Sequence, residues 1–155
     1  MIPIGAIDIE NETDFDLDLD SFVSQTRFMF ERLRLHPDTE VSICFVDEDR
    51  MSQLHIEWME EPGPTDVLSF PMDELRVPEW NEHAEAGILG DIVLCPAFAK
   101  RQAEAAGQDF EDELAMLLTH GILHCLGHDH AEPEEHRVMF DLQRELLEAW
   151  WRRND

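Results

Sequence analysis

Residues 114–127 contain no Asp, Glu, Lys or Arg, in a chain of 155 residues that is 30 % charged. A helix that is apolar on nearly all sides has to be buried. The segment is therefore predicted to form a buried helix over about 111–126. Two histidines, His120 and His124, interrupt the apolar run. Buried polar groups are costly unless they are paired, so these imidazoles need partners. A chain of this length suits one domain with a full core, taken as 1–155.

Four of the eight histidines fall within 119–130. Residues four apart in a helix share one face, one turn above the other, and His120 and His124 have that spacing. Gly127 suits the left-handed conformation that ends a helix. The chain can then turn and bring His130 back toward the first two. The pattern His-x-x-x-His-x-x-Gly-x-x-His has the spacing of the metzincin zinc motif. Three imidazoles with an open fourth position describe a catalytic zinc rather than a closed structural one. The expectation is one Zn2+ ion held by His120, His124 and His130. His128 lies four residues beyond His124, but the break at Gly127 argues against helical geometry there. A core hydrogen bond is the plainer account of a single buried histidine; three at this spacing, with the glycine, favour a metal. His36, His55, His83 and His136 show no such grouping and read as surface residues or caps.

In zinc peptidases of this spacing, Glu follows the first His and acts as general base. Here Gly121 stands in that place. Zinc can still lower the pKa of a bound water to about 7 and polarise a phosphoryl oxygen. The pattern suits metal-assisted hydrolysis by zinc-bound water, with the catalytic side chains unassigned. Asp129 is a candidate to support the ligand beside it, and equally a turn residue after Gly127.

The rest of the chain reads as mixed α and β. Strands are predicted over 6–9, 41–46, 65–70 and 87–94. Helices are predicted from a cap at Asp20 to about Leu35, from a cap at Asp47 through Trp58, over 96–106, and from Pro133 onward. The Pro-Gly-Pro run ending at Pro64 stops the second of these. Asp14, Asp16 and Asp18 mimic the start of a calcium loop, but Leu19 and Gln25 occupy positions where that loop needs Gly and Glu.

The chain carries 36 acidic residues against 11 basic ones, a formal net charge of -25. Such a surface repels phosphate backbones at long range. Cys44, Cys95 and Cys125 are few, odd in number and in apolar contexts, so buried free thiols are expected. No apolar run reaches the roughly 18 residues of a membrane span, and no basic residue precedes Arg27 as a signal peptide would need. A cytoplasmic protein is the expectation.

Three blocks resemble the YbeY family. The run from His120 to His130 is similar to its His-Gly-x-Leu-His-Leu-x-Gly-x-Asp-His signature, with Cys125 in place of a Leu. Pro64-Thr-Asp-Val-Leu-Ser-Phe-Pro71 matches its Thr-Asp-Val-Leu-Ser-Phe strand, and Leu89-Gly-Asp-Ile-Val-Leu94 matches a third block. Met139-Phe-Asp-Leu-Gln143 fits the tail, so the resemblance spans most of 53–147. It implies an α+β fold: about four strands in a mixed sheet, about five flanking helices and a zincin-like metal-binding helix. It implies a zinc-dependent, single-strand-specific endoribonuclease acting in 16S ribosomal RNA 3′-end maturation and ribosome quality control. RNA and the ribosome or ribosomal proteins would be its partners. By carry-over, His120, His124 and His130 bind the zinc, and the strand at 65–70 borders the cleft. Many members carry an Arg after an aromatic residue shortly before that strand; here Met59 follows Trp58. A guanidinium to grip phosphate is thus missing from that place, and Arg76 and Arg101 are the candidates to replace it. Two other functions compete. A peptidase-like metal-dependent hydrolase is disfavoured by Gly121. A non-enzymatic ribosome assembly factor with a structural metal is disfavoured by an open three-ligand site.

Overall fold

The computed structural model describes residues 7–59, 65–128 and 132–153. Among these, four strands make one mixed sheet: β1 (Ile7–Asn11), β2 (Glu40–Phe45), β3 (Val67–Pro71) and β4 (Ile88–Leu94). Their order is β1-β2-β4-β3. β1, β2 and β4 are parallel, and β3 lies antiparallel on the edge beside β4. Five helices accompany them: α1 (Leu19–Arg32), α2 (Glu48–Met59), α3 (Pro96–Ala106), α4 (Phe110–Cys125) and α5 (Pro133–Trp151). This is the α+β architecture the sequence implied.

Local chemistry sets the boundaries. α1 is capped by Asp18, whose carboxylate accepts from Ser21 N–H at 3.2 Å. The predicted cap, Asp20, instead lies in the first turn, where its charge favours the helix N-terminus. The difference arises because a capping carboxylate reaches two or three residues ahead, and only Asp18 does so here. The same helix stops at Arg32 rather than near Leu35, since Arg34 takes a positive φ of 58°. Asp47 caps α2 as expected, accepting from Arg50 N–H at 2.8 Å. The Pro-Gly-Pro stop after α2 falls outside the described residues, as does Ala6. β1 runs on to Asn11 because each of its residues pairs with β2 as far as Phe45.

Period-two alternation divides the sheet into two faces. Val41, Ile43 and Phe45 of β2, with Ile92 and Leu94 of β4, face α1, α4 and α5 in the main core. The opposite face packs Leu68 and Val93 against Met51 of α2, with Val46 and Cys95. α4 sits deepest: Leu114, Leu118, Ile122 and Leu123 are fully buried. Burial of such side chains stabilises by roughly 1.5–3 kcal/mol each, so packing is the main contribution that holds this helix. A buried polar link orients it. Gln25 of α1 donates to Ala115 O at 2.8 Å and to Thr119 Oγ1 at 3.0 Å.

Gly121 allows α4 to lie close to the sheet. A Cβ there would stand 2.8 Å from Ile92 Cγ2 and 3.2 Å from Ser69 Oγ. Ile92 is fully buried and has nowhere to retreat. Overpacking of this kind costs about 1–3 kcal/mol, against roughly 1 kcal/mol gained in helix propensity. Gly121→Ala is therefore expected to lower stability in urea unfolding. A more stable variant would show that the helix can shift away from β4 at little cost.

Candidate active site

The buried helix brings the two spaced histidines together. His120 and His124 are half-buried, with ring centroids 4.6 Å apart at 75°. Asp109 starts the helix by accepting from Glu111 N–H (2.9 Å) and Asp112 N–H (3.1 Å). Gly127 ends it at φ +93°, and His128 N–H donates back to Leu123 O at 3.1 Å. His128 therefore does not occupy the next helical turn above His124. Burial pushes its pKa down, favouring the neutral ring. His130 and Asp129 lie outside the described residues.

The surroundings of His120 suit a metal ligand. Its Nδ1 lies 2.9 Å from Gln143 Oε1, on α5. Gln143 is only 6 % exposed. With Oε1 as acceptor, Nδ1 carries the proton and Nε2 keeps its lone pair, the arrangement by which ligating histidines are oriented. The Phe140 ring packs 5.7 Å from His120, and His136 stacks on Phe140 at 4.3 Å. His136 is expected among surface residues or caps. It is exposed, yet it belongs to this aromatic run. The donor chemistry fits zinc: two imidazoles on adjacent turns, one with its far nitrogen already engaged.

Both histidines open onto a cleft of about 400 Å³, whose other wall is Asp66, Val67, Leu68, Ser69 and Pro71. The 65–70 block thus borders the cleft, as its resemblance implied. Gly121 points into the sheet and not into the cleft, and the clash with Ile92 leaves no room for a glutamate. The peptidase base has no place here. Arg76 and Arg101 do not supply free cationic groups. Arg76 is held bidentately by Glu82 (3.1 and 2.8 Å), and Arg101 by Glu48. Sequence position alone does not reveal these carboxylate partners. Met59 is the last residue of α2.

A second cavity, of about 790 Å³, lies on the other face of the sheet, lined among others by Trp58, Phe70 and Asp91. There Glu10, Glu12 and Cys44 place their ligand atoms within 4.8 Å of one another, a grouping with the donor types of a cation site. Burial, with the Glu12 and Glu10 carboxylates, pushes the Cys44 thiol up to about 11. Cys44 is half-buried, not buried as expected, because it faces this cavity; Cys95 and Cys125 are buried, and all three are free thiols. Glu10 lies in β1 and Glu12 immediately beyond its end. Only the parallel pairing of β1 with β2 brings Cys44 to them, so no local sequence signal marks the group.

A mixed sheet whose antiparallel edge strand overhangs a His-x-x-x-His helix defines the class: an α+β protein with its candidate chemistry at the sheet edge. The sequence profile of the family described as Endoribonuclease YbeY matches residues 7–151. The chain belongs to that family. It is 54 % identical to Endoribonuclease YbeY of Thermobifida fusca over 95 % of each chain. It is also 54 % identical to that of Renibacterium salmoninarum, over 94 % of this chain and 92 % of the relative. The solution structure of TM1509 from Thermotoga maritima superimposes with a TM-score of 0.64 at 28 % identity, covering 94 % of this chain and 89 % of that one.

Two expectations follow from this geometry. If His120 ligates a metal ion, Gln143→Leu should weaken its binding about 10- to 100-fold, read with zinc by competition with a chromophoric chelator, while Gln143→Glu keeps an acceptor and restores most of it. Glu113, on α4, is buried, and burial together with Asp66 raises its pKa. A raised folded-state pKa means that any stability it contributes is complete below the unfolded value and is lost as pH rises through the folded one. Glu113→Gln should therefore raise the unfolding midpoint at pH 7, and the difference should close below about pH 4.

Proposed function

We propose that this chain is a zinc-dependent, single-strand-specific endoribonuclease that matures the 3′ end of 16S ribosomal RNA and takes part in ribosome quality control. Membership of the Endoribonuclease YbeY family supports nuclease action on RNA in ribosomal RNA processing. The observation that carries the finer reading is the His120–His124 pair opening onto the cleft beneath β3. His120, His124 and His130 would hold one Zn2+ ion. When bound, the ion supplies Lewis acidity toward a phosphoryl oxygen and acidifies water to a pKa of about 7.

The chain's own residues do the positioning. The packing of α4 holds the two helical imidazoles in place, and Gln143 orients the first. β3 walls the cleft with backbone and short side chains, so an unpaired strand can approach closely. The whole of 1–155 is read as one domain carrying this site. The net charge of -25 opposes RNA binding, and a ribosomal partner would offset this by delivering the RNA. The ribosome also makes the cytoplasm the expected location; no helix among the described residues is long and apolar enough to cross a membrane. Screening shortens the reach of that repulsion to about 8 Å at physiological salt. KM for free RNA is accordingly expected to fall as ionic strength rises from low values. A monotonic rise would indicate that local cation contacts dominate instead.

The direct test incubates metal-loaded protein with a single-stranded RNA carrying the immature 16S 3′ end. Its control is His124→Ala, checked to be folded, as the packing of α4 leads one to expect. Cleavage by the wild type alone supports the reading. If neither protein cleaves, with zinc confirmed bound to the wild type, the free chain is not a nuclease on this substrate and the assembly-factor reading gains. An unfolded His124→Ala would point to a structural metal.

A further inference from the structure

Among the described residues, the outer edge of β3 beside the histidines presents a single unengaged backbone donor. β3 is an edge strand. Cys95 N–H donates to Asp66 O at 2.9 Å and Met72 N–H to Leu89 O at 3.2 Å, in register with Val67↔Leu94 through Pro71↔Gly90. An antiparallel ladder engages every second residue. Asp66, Leu68, Phe70 and Met72 therefore turn their backbone groups toward β4, and Val67, Ser69 and Pro71 turn theirs outward. Pro71 has no N–H. Val67 N–H is taken by the Asp66 carboxylate at 2.8 Å. Ser69 Oγ is turned toward α4, where it donates to Gly121 O at 3.3 Å. Among the described residues nothing accepts from the Ser69 N–H. One outward donor thus remains on the strand that faces His120 and His124 across the cleft.

We infer that the Ser69 backbone N–H binds a non-bridging oxygen of the phosphodiester that this site cleaves. The inference rests on the nuclease reading above and names the group that holds the substrate. A phosphate in the cleft needs a donor, and neither Arg76 nor Arg101 lines the cleft; both are paired with carboxylates, Glu82 and Glu48. A backbone N–H fixed in a sheet is preorganised, as donors that stabilise developing anionic charge must be. It also needs no counter-charge in a chain this acidic. An extended peptide adding to the same edge is the competing occupant. It would need a run of alternating donors and acceptors, whereas Asp66 and Pro71 leave this edge one donor.

The test replaces serine at position 69 by its α-hydroxy acid analogue, so that an ester oxygen stands where the N–H was. The ladder to β4 does not use this N–H. Zinc content should stay close to wild type and the unfolding midpoint should fall only slightly, since the ester weakens the Leu68 carbonyl as an acceptor toward β4, while kcat on single-stranded RNA falls roughly 10- to 100-fold, the effect of one hydrogen bond to a charged group. In parallel, dimethyl phosphate is titrated into 15N-labelled, zinc-loaded wild type. The Ser69 amide proton should move downfield while that of Phe70, engaged with β4, stays in place. This second measurement decides the matter if the ester variant fails to fold. A wild type that cleaves, with an ester variant equally fast and an unmoved amide, overturns the Ser69 inference and leaves the nuclease reading intact. An inactive wild type whose Ser69 amide responds to an extended peptide but not to dimethyl phosphate overturns both and makes the edge a peptide site. An inactive wild type with an amide that responds to neither also overturns both.

Discussion

The close approach of α4 to the sheet is the contact on which the molecule depends. It is made possible where Gly121 meets Ile92 and Ser69, and it is stabilised by the full burial of Leu114, Leu118, Ile122 and Leu123. From it follow the depth of the core, the half-burial of the histidine rings and the width of the cleft under β3. The same glycine displaces the glutamate that peptidases of this spacing use. One packing requirement therefore shapes both the fold and the chemistry. A helix set further out would have room for that carboxylate but would open the cleft and loosen the core.

Polar contacts then refine what packing has placed. Gln25 reaches from α1 to the turn of α4 that precedes His120, and Gln143 reaches from α5 to the His120 ring itself. Both glutamines are nearly inaccessible to solvent. Buried amides of this kind are worth keeping only when their hydrogen bonds are made, so each helix pair has a preferred rotational setting. The ring orientation at the candidate site is thereby coupled to the register of three helices.

Much of this was legible in the residues, for physical reasons that differ by element. The charge-free run at 114–127 and the four-residue histidine spacing are local signals, and a helix converts them directly into burial and a shared face. β2, β3 and β4 were legible because alternation and Pro or Gly punctuation are also local. The cap of α1 was misplaced by two residues because two neighbouring aspartates offer the same side chain, and only geometry chooses between them. Gln143, Phe140 and the Glu10–Glu12–Cys44 group were not legible. Each depends on how separate elements dock, and nothing in the spacing of residues 10, 44, 120 and 143 encodes that. The pairing of Arg76 and Arg101 with carboxylates was hidden for the same reason, in a chain where acidic partners are abundant.

The edge strand has a consequence for the behaviour of the protein in concentrated solution. Exposed sheet edges are templates on which other chains can add, and natural proteins blunt them with proline and inward-looking charges. β3 does so with Pro71 at one end and the Asp66 carboxylate folded over Val67 N–H at the other. What remains is too short to seed a second strand. An edge left accessible for function is in this way kept from polymerising, and the protein can expose its sheet beside the cleft without inviting self-association through it.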